Sequence, residues 1–256
     1  MPWKDYLQAL NRDPLATPYY VFGGKEALLR RSLARLLGSS LPDIRKEFAT
    51  PTGPLREVFD EIAHLPYLGW TSAGEVLYAA ARALKPLVVV ETGVAAGLSS
   101  ACILAGLQRN GMGELYSIDL PNAEKEYLPA LGVTPLAILP RDKPPGFLVP
   151  EVLQPRWHLY LGDTHEMLPK LLSELPDIDL FLHDSEHTYK TMTFEYETVW
   201  PHLQPSGLLL SDEVSWNNAF PDFCRRHHLK PVYFWRTGLG GVAKGADIAK
   251  GRAKAR

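Results

Sequence analysis

From residue 87 to residue 214, short apolar runs alternate with helical stretches, and every run has an acid at its end or one residue before it. The first run is Leu87-Val88-Val89-Val90-Glu91, and the others are 115–120, 157–163, 178–184 and 207–214. Continuous apolar runs of this length are the pattern of strands buried on both faces. Between and after them the periodicity predicts helices over Ser99–Arg109, Thr164–Glu174, Tyr189–Leu203 and Ala219–His228. Strands alternating with helices pack as an open, mostly parallel sheet covered on both faces. Segments 232–236 and 239–245, around Thr237-Gly238, predict a closing hairpin with antiparallel strands. The expected class is therefore α/β, a Rossmann-like doubly wound sheet of seven strands.

The flanks are less regular. Glu26–Leu37 has helical spacing, with Gly38 placed to end it. Prolines 42, 51 and 54 mark a connector. Ser72 and Glu75 form a capping-box pattern before an Ala/Leu-rich helix ending near Leu84. The expected organisation is a helical extension over 1–70, an α/β domain over 71–245 and a flexible basic tail over 246–256. Residues 121–156 are proline-rich and lack periodicity, as in a lid or binding insertion.

A net charge of −2 argues against nucleic-acid or anionic-membrane partners. Residues 92–108 carry no charge, but Thr92, Ser99, Ser100 and the glycines make them too polar for a membrane span. Cys102 and Cys224 give no disulfide framework, and the start MPWKDYLQALNRD has no apolar signal region. A cytoplasmic setting is expected.

In doubly wound sheets ligands bind beyond the carboxyl ends of the strands. Here those ends deliver Glu91, Asp119, Asp163 after Gly162, Asp184 with His187 three residues on, and the pair Asp212-Glu213. After the first strand come Gly93 and Gly97, with Ala95 between them and Leu98 where a dinucleotide fingerprint needs its last glycine. No Gly-Lys-Ser/Thr P-loop follows. Such a loop is poorly built for phosphates, and an acid two residues before it suits a ligand with an amine or hydroxyls. Three carboxylates on adjacent strand ends repel unless a cation joins them, and hard oxygen donors favour magnesium, calcium or manganese.

ETGVAAGLSS, SIDL, LGDTHEMLP, FLHDSEHTY and LLSDEV, in that order, resemble the class I S-adenosylmethionine-dependent methyltransferases. The resemblance is nearest to the small-molecule O-methyltransferases of the catechol and macrocin type, and it covers about 71–245. It implies that Glu91, Gly93, Gly97 and Ser99 surround the methionine portion of the cofactor, that Asp119 takes the ribose hydroxyls, and that Gly162 and Asp163 lie by the adenine. It implies Asp184, Asp212 and Glu213 as magnesium ligands, Asp184 also bordering the cofactor, and His187 as the base where the catechol enzyme has a lysine. Glu213 departs from the catechol pattern, which has an amide there. Asp163 also has the position of a helix N-cap, with Glu166 three residues on. Asn217 or Asn218 is placed to add an oxygen, and Trp216, Phe220 and Trp70 to meet the acceptor. His183 is expected to be structural.

The function this implies is metal-assisted O-methylation of a small hydroxylated acceptor by a homo-oligomer, with the helical extension expected to pack on the main domain or on a second subunit. The alternative is a cofactor- and metal-binding accessory protein without methyl transfer, resembling the cephalosporin-hydroxylation proteins. Leu98 and Glu91 disfavour a nicotinamide oxidoreductase. Gly97-Leu98-Ser99-Ser100-Ala101 lacks the last glycine of a hydrolase nucleophile elbow.

Overall fold

The computed structural model describes residues 24–40, 73–121, 139, 142–234 and 237–245. Five parallel strands, β1 (Val88–Thr92), β2 (Glu114–Asp119), β3 (Trp157–Leu161), β4 (Ile178–His183) and β5 (Leu203–Ser211), are followed by β6 (Val232–Tyr233) and β7 (Gly240–Ala243). Both late strands run antiparallel to their neighbours. The order across the sheet is β3-β2-β1-β4-β5-β7-β6. The chain builds outward from β1 to β3, then returns to lay β4 on the other side of β1. That reversal opens a crevice at the carboxyl ends of β1 and β4.

Strand alternation sorts the apolar side chains into two layers. Val89, Leu180, Leu182, Leu208 and Leu210 face α1 (Gly24–Leu37), α2 (Gly74–Leu84) and α3 (Leu98–Asn110). Val88, Val90, Phe181 and Leu209 face α4 (Thr164–Glu174), α5 (Tyr189–Val199) and α6 (Ala219–Arg226). The expected helix over Glu26–Leu37 is α1. It buries Leu29, Leu33, Leu36 and Leu37 in the first layer, and Ser32 Oγ donates to the carbonyl of Tyr233 at 3.2 Å. Among the described residues no helix is long and apolar enough to cross a membrane.

Three expectations change. First, the N-cap of α2 is Ala73, which makes no side-chain cap bond; Ser72, half of the expected capping box, lies outside the described residues. Second, the helix expected to reach Leu203 ends as α-helix at Val199 and tightens into a 3-10 turn over Trp200–His202. Pro201 has no N–H to continue the α-helical ladder. Third, the last parallel strand begins at Leu203, earlier than its apolar run, and passes Pro205-Ser206-Gly207 through a register irregularity opposite Ile178–Leu180. The backbone there is held by Ser206 N–H donating to Lys244 O and Lys244 N–H donating to Gly207 O.

Of the insertion, residues 122–138, 140 and 141 lie outside the described set, as does the tail beyond 245. Residues 142–150 form a strap seated on the glycine loop, and Glu151–Arg156 is a 3-10 turn leading into β3.

Candidate active site

The glycine loop leaves β1 with Gly93 at φ +83°. A Cβ at Gly93 would stand 2.0 Å from the carbonyl oxygen of Asp184, so a side chain there would force the ends of β1 and β4 apart. Gly97, at φ +99°, is the N-cap of α3, and a Cβ on it would meet Val149 Cγ2 at 2.7 Å. Ser99 is buried in the first turn of α3.

Glu91 is wholly buried. Its Oε2 accepts from Ser100 Oγ at 2.6 Å and Ser117 Oγ at 2.8 Å, which ties β1 to α3 and β2. Burial raises its carboxyl pKa above the usual range, with the serine hydroxyls pulling the other way. Its Oε1 is buried and has no hydrogen-bond partner among the described residues. An orphaned carboxylate oxygen of this kind suits a ligand ammonium group.

Asp119 closes β2. Its Oδ2 accepts from Ala95 N–H at 3.1 Å and its Oδ1 from Leu120 N–H at 2.9 Å. Gly162 N–H donates to the Asp119 carbonyl at 2.9 Å, bringing the ends of β2 and β3 together. Asp163 is the N-cap of α4, its Oδ1 accepting from His165 N–H at 2.7 Å. Beside it, Thr164 Oγ1 and His165 Nε2 are buried without partners among the described residues, two polar groups that the sequence analysis did not single out.

The carboxyl ends of β4 and β5 bring together Asp184, His187 and Asp212, each offering one ligand atom, all within 4.8 Å of one another. Asp184 follows β4 and keeps 27 % of its side chain exposed, with Oδ1 3.7 Å from His187 Nε2. Asp212 follows β5, is 8 % exposed, and its buried Oδ1 has no partner among the described residues. Burial and then repulsion from Asp212, Glu91 and Glu213 push the Asp184 carboxyl well above its ordinary pKa. Burial, with the charge of Glu213, lifts Asp212 to about 6. The two carboxylates are hard oxygen donors of the kind a divalent cation takes, and the imidazole stands beside them. Glu213 is not in that group of three. Its backbone sits at φ +47°, and its raised carboxyl pKa, due to burial, is opposed by a hydrogen bond from the Trp216 side chain.

His187 is 5 % exposed in its side chain. Burial, then the neighbouring His183, lowers its pKa to about 3, so the ring is neutral at physiological pH. It lies edge-on to His183 at 5.3 Å and tilted against Trp216 at 5.5 Å, centroid to centroid. Trp216 is 53 % exposed, whereas Phe220, which was expected at the acceptor, is fully buried in the core. The oxygen of Asn217 is already engaged: Oδ1 accepts from Ala219 N–H at 2.8 Å, while Nδ2 donates to the His187 carbonyl. Asn218 is the N-cap of α6 without a side-chain bond. Trp70 lies outside the described residues.

Two contributors were invisible in the sequence. Glu195, on α5, is fully buried and accepts from His183 Nδ1, Ser185 Oγ and Thr92 Oγ1. Gly238, in the turn before β7, comes so near the second acid pair that a Cβ would be 3.3 Å from Asp212 Oδ1. His183 is structural in the sense expected, paired beneath the surface with Glu195.

The methyltransferase-domain family matches residues 90–214, from β1 to just past Asp212-Glu213. No functionally curated protein matches the sequence. Among solved structures, the chain is similar to an O-methyltransferase from Bacillus cereus in complex with S-adenosylhomocysteine (TM-score 0.53, 13 % identity, covering 76 % of this chain and 92 % of that one). It is also similar to a methyltransferase from Geobacter sulfurreducens (TM-score 0.54, 17 % identity, 77 % and 92 % covered). A third is the O-methyltransferase TomG of Streptomyces achromogenes, involved in tomaymycin synthesis and solved with S-adenosylmethionine (TM-score 0.51, 14 % identity, 77 % and 92 % covered). The strand order and the glycine loop after β1 agree with these similarities: the chain has the Rossmann-like methyltransferase fold, and its residues 90–214 match the methyltransferase-domain family.

Proposed function

We propose that the protein methylates a hydroxyl of a small metabolite, with a divalent cation held by Asp184 and Asp212. The observation that carries this reading is the close pair of carboxylates, half-buried Asp184 and buried Asp212, beside a neutral imidazole, one oxygen of Asp212 having no partner among the described residues. Left alone, such a pair is held at a raised pKa by burial and then by the charge of neighbouring acids, a cost that a bound cation offsets.

S-adenosylmethionine supplies an electrophilic methyl group on a sulfonium, and a magnesium or manganese ion supplies charge that acidifies a bound hydroxyl. The chain's own residues do the rest. Glu91 Oε1 would take the methionine ammonium, Ser99 would approach the methionine carboxylate, and Asp119 would take the ribose hydroxyls. Gly93 and Gly97 would let the backbone come close, with Gly162 and Asp163 beside the adenine. Thr164 Oγ1 and His165 Nε2, next to Asp163, add two buried polar atoms without partners among the described residues.

His187 would accept the hydroxyl proton at Nε2, the nitrogen on the Asp184 side, and Asp184 would then stabilise the imidazolium. A ring whose pKa lies near 3 is a weak base. It works only on a hydroxyl that has been made acidic, which is the task assigned to the cation. Trp216 offers an exposed aromatic face next to His187 for a flat or sugar-like acceptor. In-line placement of oxygen and methyl would supply most of the acceleration.

Calorimetric titration with S-adenosylhomocysteine, with and without magnesium or manganese, tests the binding half. Turnover against catechols, glycosides and hydroxylated macrolides tests the transfer half. Asp184→Asn and Asp212→Asn should each abolish the cation effect while leaving the protein folded. Full turnover by both variants without cation would remove the metal from the mechanism.

A further inference from the structure

Ala95 is a non-glycine residue at φ +47°, in the middle of the cofactor loop. An L-residue with a Cβ resists that left-handed conformation, so something must hold it there. Two contacts do so from opposite ends of the residue. Its N–H donates to Asp119 Oδ2 at 3.1 Å. Its carbonyl accepts from Gly146 N–H, in the strap, at 2.8 Å. The next carbonyl, of Ala96, accepts from Leu148 N–H at 2.9 Å. Phe147, Leu148 and Leu139 pack around Ala96, and Val149 covers Gly97.

The strap is itself firmly seated. Gly146 lies against the indole of Trp157, so closely that a Cβ would be 2.1 Å from Cη2. Trp157 Nε1 donates to Ser117 Oγ at 2.9 Å, and Ser117 Oγ donates to Glu91. The strap, the strained loop and two of the acids assigned to the cofactor thus form one continuous set of contacts.

We infer that residues 146–149 are a positioning element for cofactor binding: by gripping the carbonyls of Ala95 and Ala96 they hold Ala95 in its left-handed conformation, and with it the N–H that orients Asp119 toward the ribose. The inference rests on the assignment of Asp119 to the cofactor. It gives the carboxyl end of the insertion a task distinct from covering an acceptor. Gly146 is the position on which the arrangement turns, because its own φ of +76° and the Trp157 ring both exclude a side chain.

The test is a double-mutant cycle on the full chain, with the Kd for S-adenosylhomocysteine measured by calorimetry and a thermal melt recorded for each variant. Gly146→Ala should push the strap off the loop and weaken binding about tenfold, the scale of releasing one alanine from a left-handed conformation. In an Ala95→Gly background, where glycine holds the positive φ unaided, the same substitution should cost no more than about threefold. A packing role alone would lower the melting temperature in both backgrounds and leave the affinity of the folded protein unchanged, and that result overturns the inference. Equal losses of affinity in the two backgrounds overturn it as well. Should Gly146→Ala fail to fold, Val149→Ala, which only trims the side chain over Gly97, carries the same cycle with a loss of about threefold. If the unaltered chain does not bind S-adenosylhomocysteine, the cofactor assignment itself falls, an outcome distinct from a cycle without coupling.

Discussion

His183 Nδ1 lies 2.6 Å from Glu195 Oε2, with both side chains fully buried, one residue before Asp184 in the chain. Glu195 also receives Thr92 from the end of β1 and Ser185 from the loop after β4, so a single carboxylate on α5 ties together both walls of the crevice. Removing it leaves three buried donors without an acceptor. Glu195→Ala should lower stability by about 3–5 kcal/mol, the usual cost of breaking a buried charged pair from one side. Urea unfolding monitored by circular dichroism measures this, and a loss under about 1 kcal/mol would mean the network is incidental.

The same carboxylate sets an acid limit. Burial alone would raise its pKa, but His183 and the hydrogen bonds from His183, Ser185 and Thr92 outweigh burial and leave it below the ordinary glutamate value. A carboxyl depressed by folding contributes stability that is complete above its unfolded pKa and is lost as pH falls through the folded one. Thermal melts should therefore drop below about pH 4.5 in the native chain, and less steeply in Glu195→Gln.

Asp184 and Asp212 carry the opposite sign. Both carboxyls are raised, Asp212 to about 6, so the folded state holds protons that the unfolded chain has released. Without cation, stability should fall as pH rises from about 4 to 6 and stay reduced above that. Millimolar magnesium or manganese should raise the melting temperature by a few degrees near neutral pH and hardly at all near pH 5. Equal shifts at both pH values, or none in either, would count against a cation bound by these two residues.

His187→Gln removes the proton acceptor but keeps a polar side chain. Turnover should fall by about a hundredfold or more, while affinity for S-adenosylhomocysteine stays within about threefold. A parallel loss of cofactor affinity would move His187 from proton transfer to binding.

Lys244 illustrates a purely structural use of charge. Its Nζ donates to the carbonyls of Trp200, Pro201 and Leu203, the oxygens left over where α5 tightens and turns into β5. Lys244→Met keeps the length of the chain and removes all three bonds. A loss of about 1–3 kcal/mol in urea unfolding is expected, with S-adenosylhomocysteine binding unchanged.

The sheet was legible because its strands are continuous apolar runs, and each run ends within a few residues of the observed strand. The first part of β5 was hidden because Pro205, Ser206 and Gly207 carry the pattern of a turn; only pairing with Ile178 and with Lys244 makes Leu203 onward a strand. The acids at the strand ends were legible for the same reason as the strands. Their neighbours were not. Glu195 is one polar residue in the middle of an amphipathic helix, and nothing local distinguishes it from Glu197, which is partly exposed and bonds Arg226 and His227. Phe220 suits an acceptor site or a core equally well in the sequence; it follows Asn218 into a helix whose apolar face is turned inward, and the core takes it. The insertion gave no periodic signal because residues 146–149 attach through backbone hydrogen bonds, which no side-chain pattern records.

The sheet ends, on the side of the closing hairpin, in a strand only two residues long, Val232–Tyr233, with one of its carbonyl oxygens already taken by Ser32. A strand from another molecule arriving at that margin finds almost no ladder to extend, and α1 packs alongside it. The helix ahead of the α/β core therefore acts as a guard rail at this margin: among the described residues it leaves an arriving strand little to pair with.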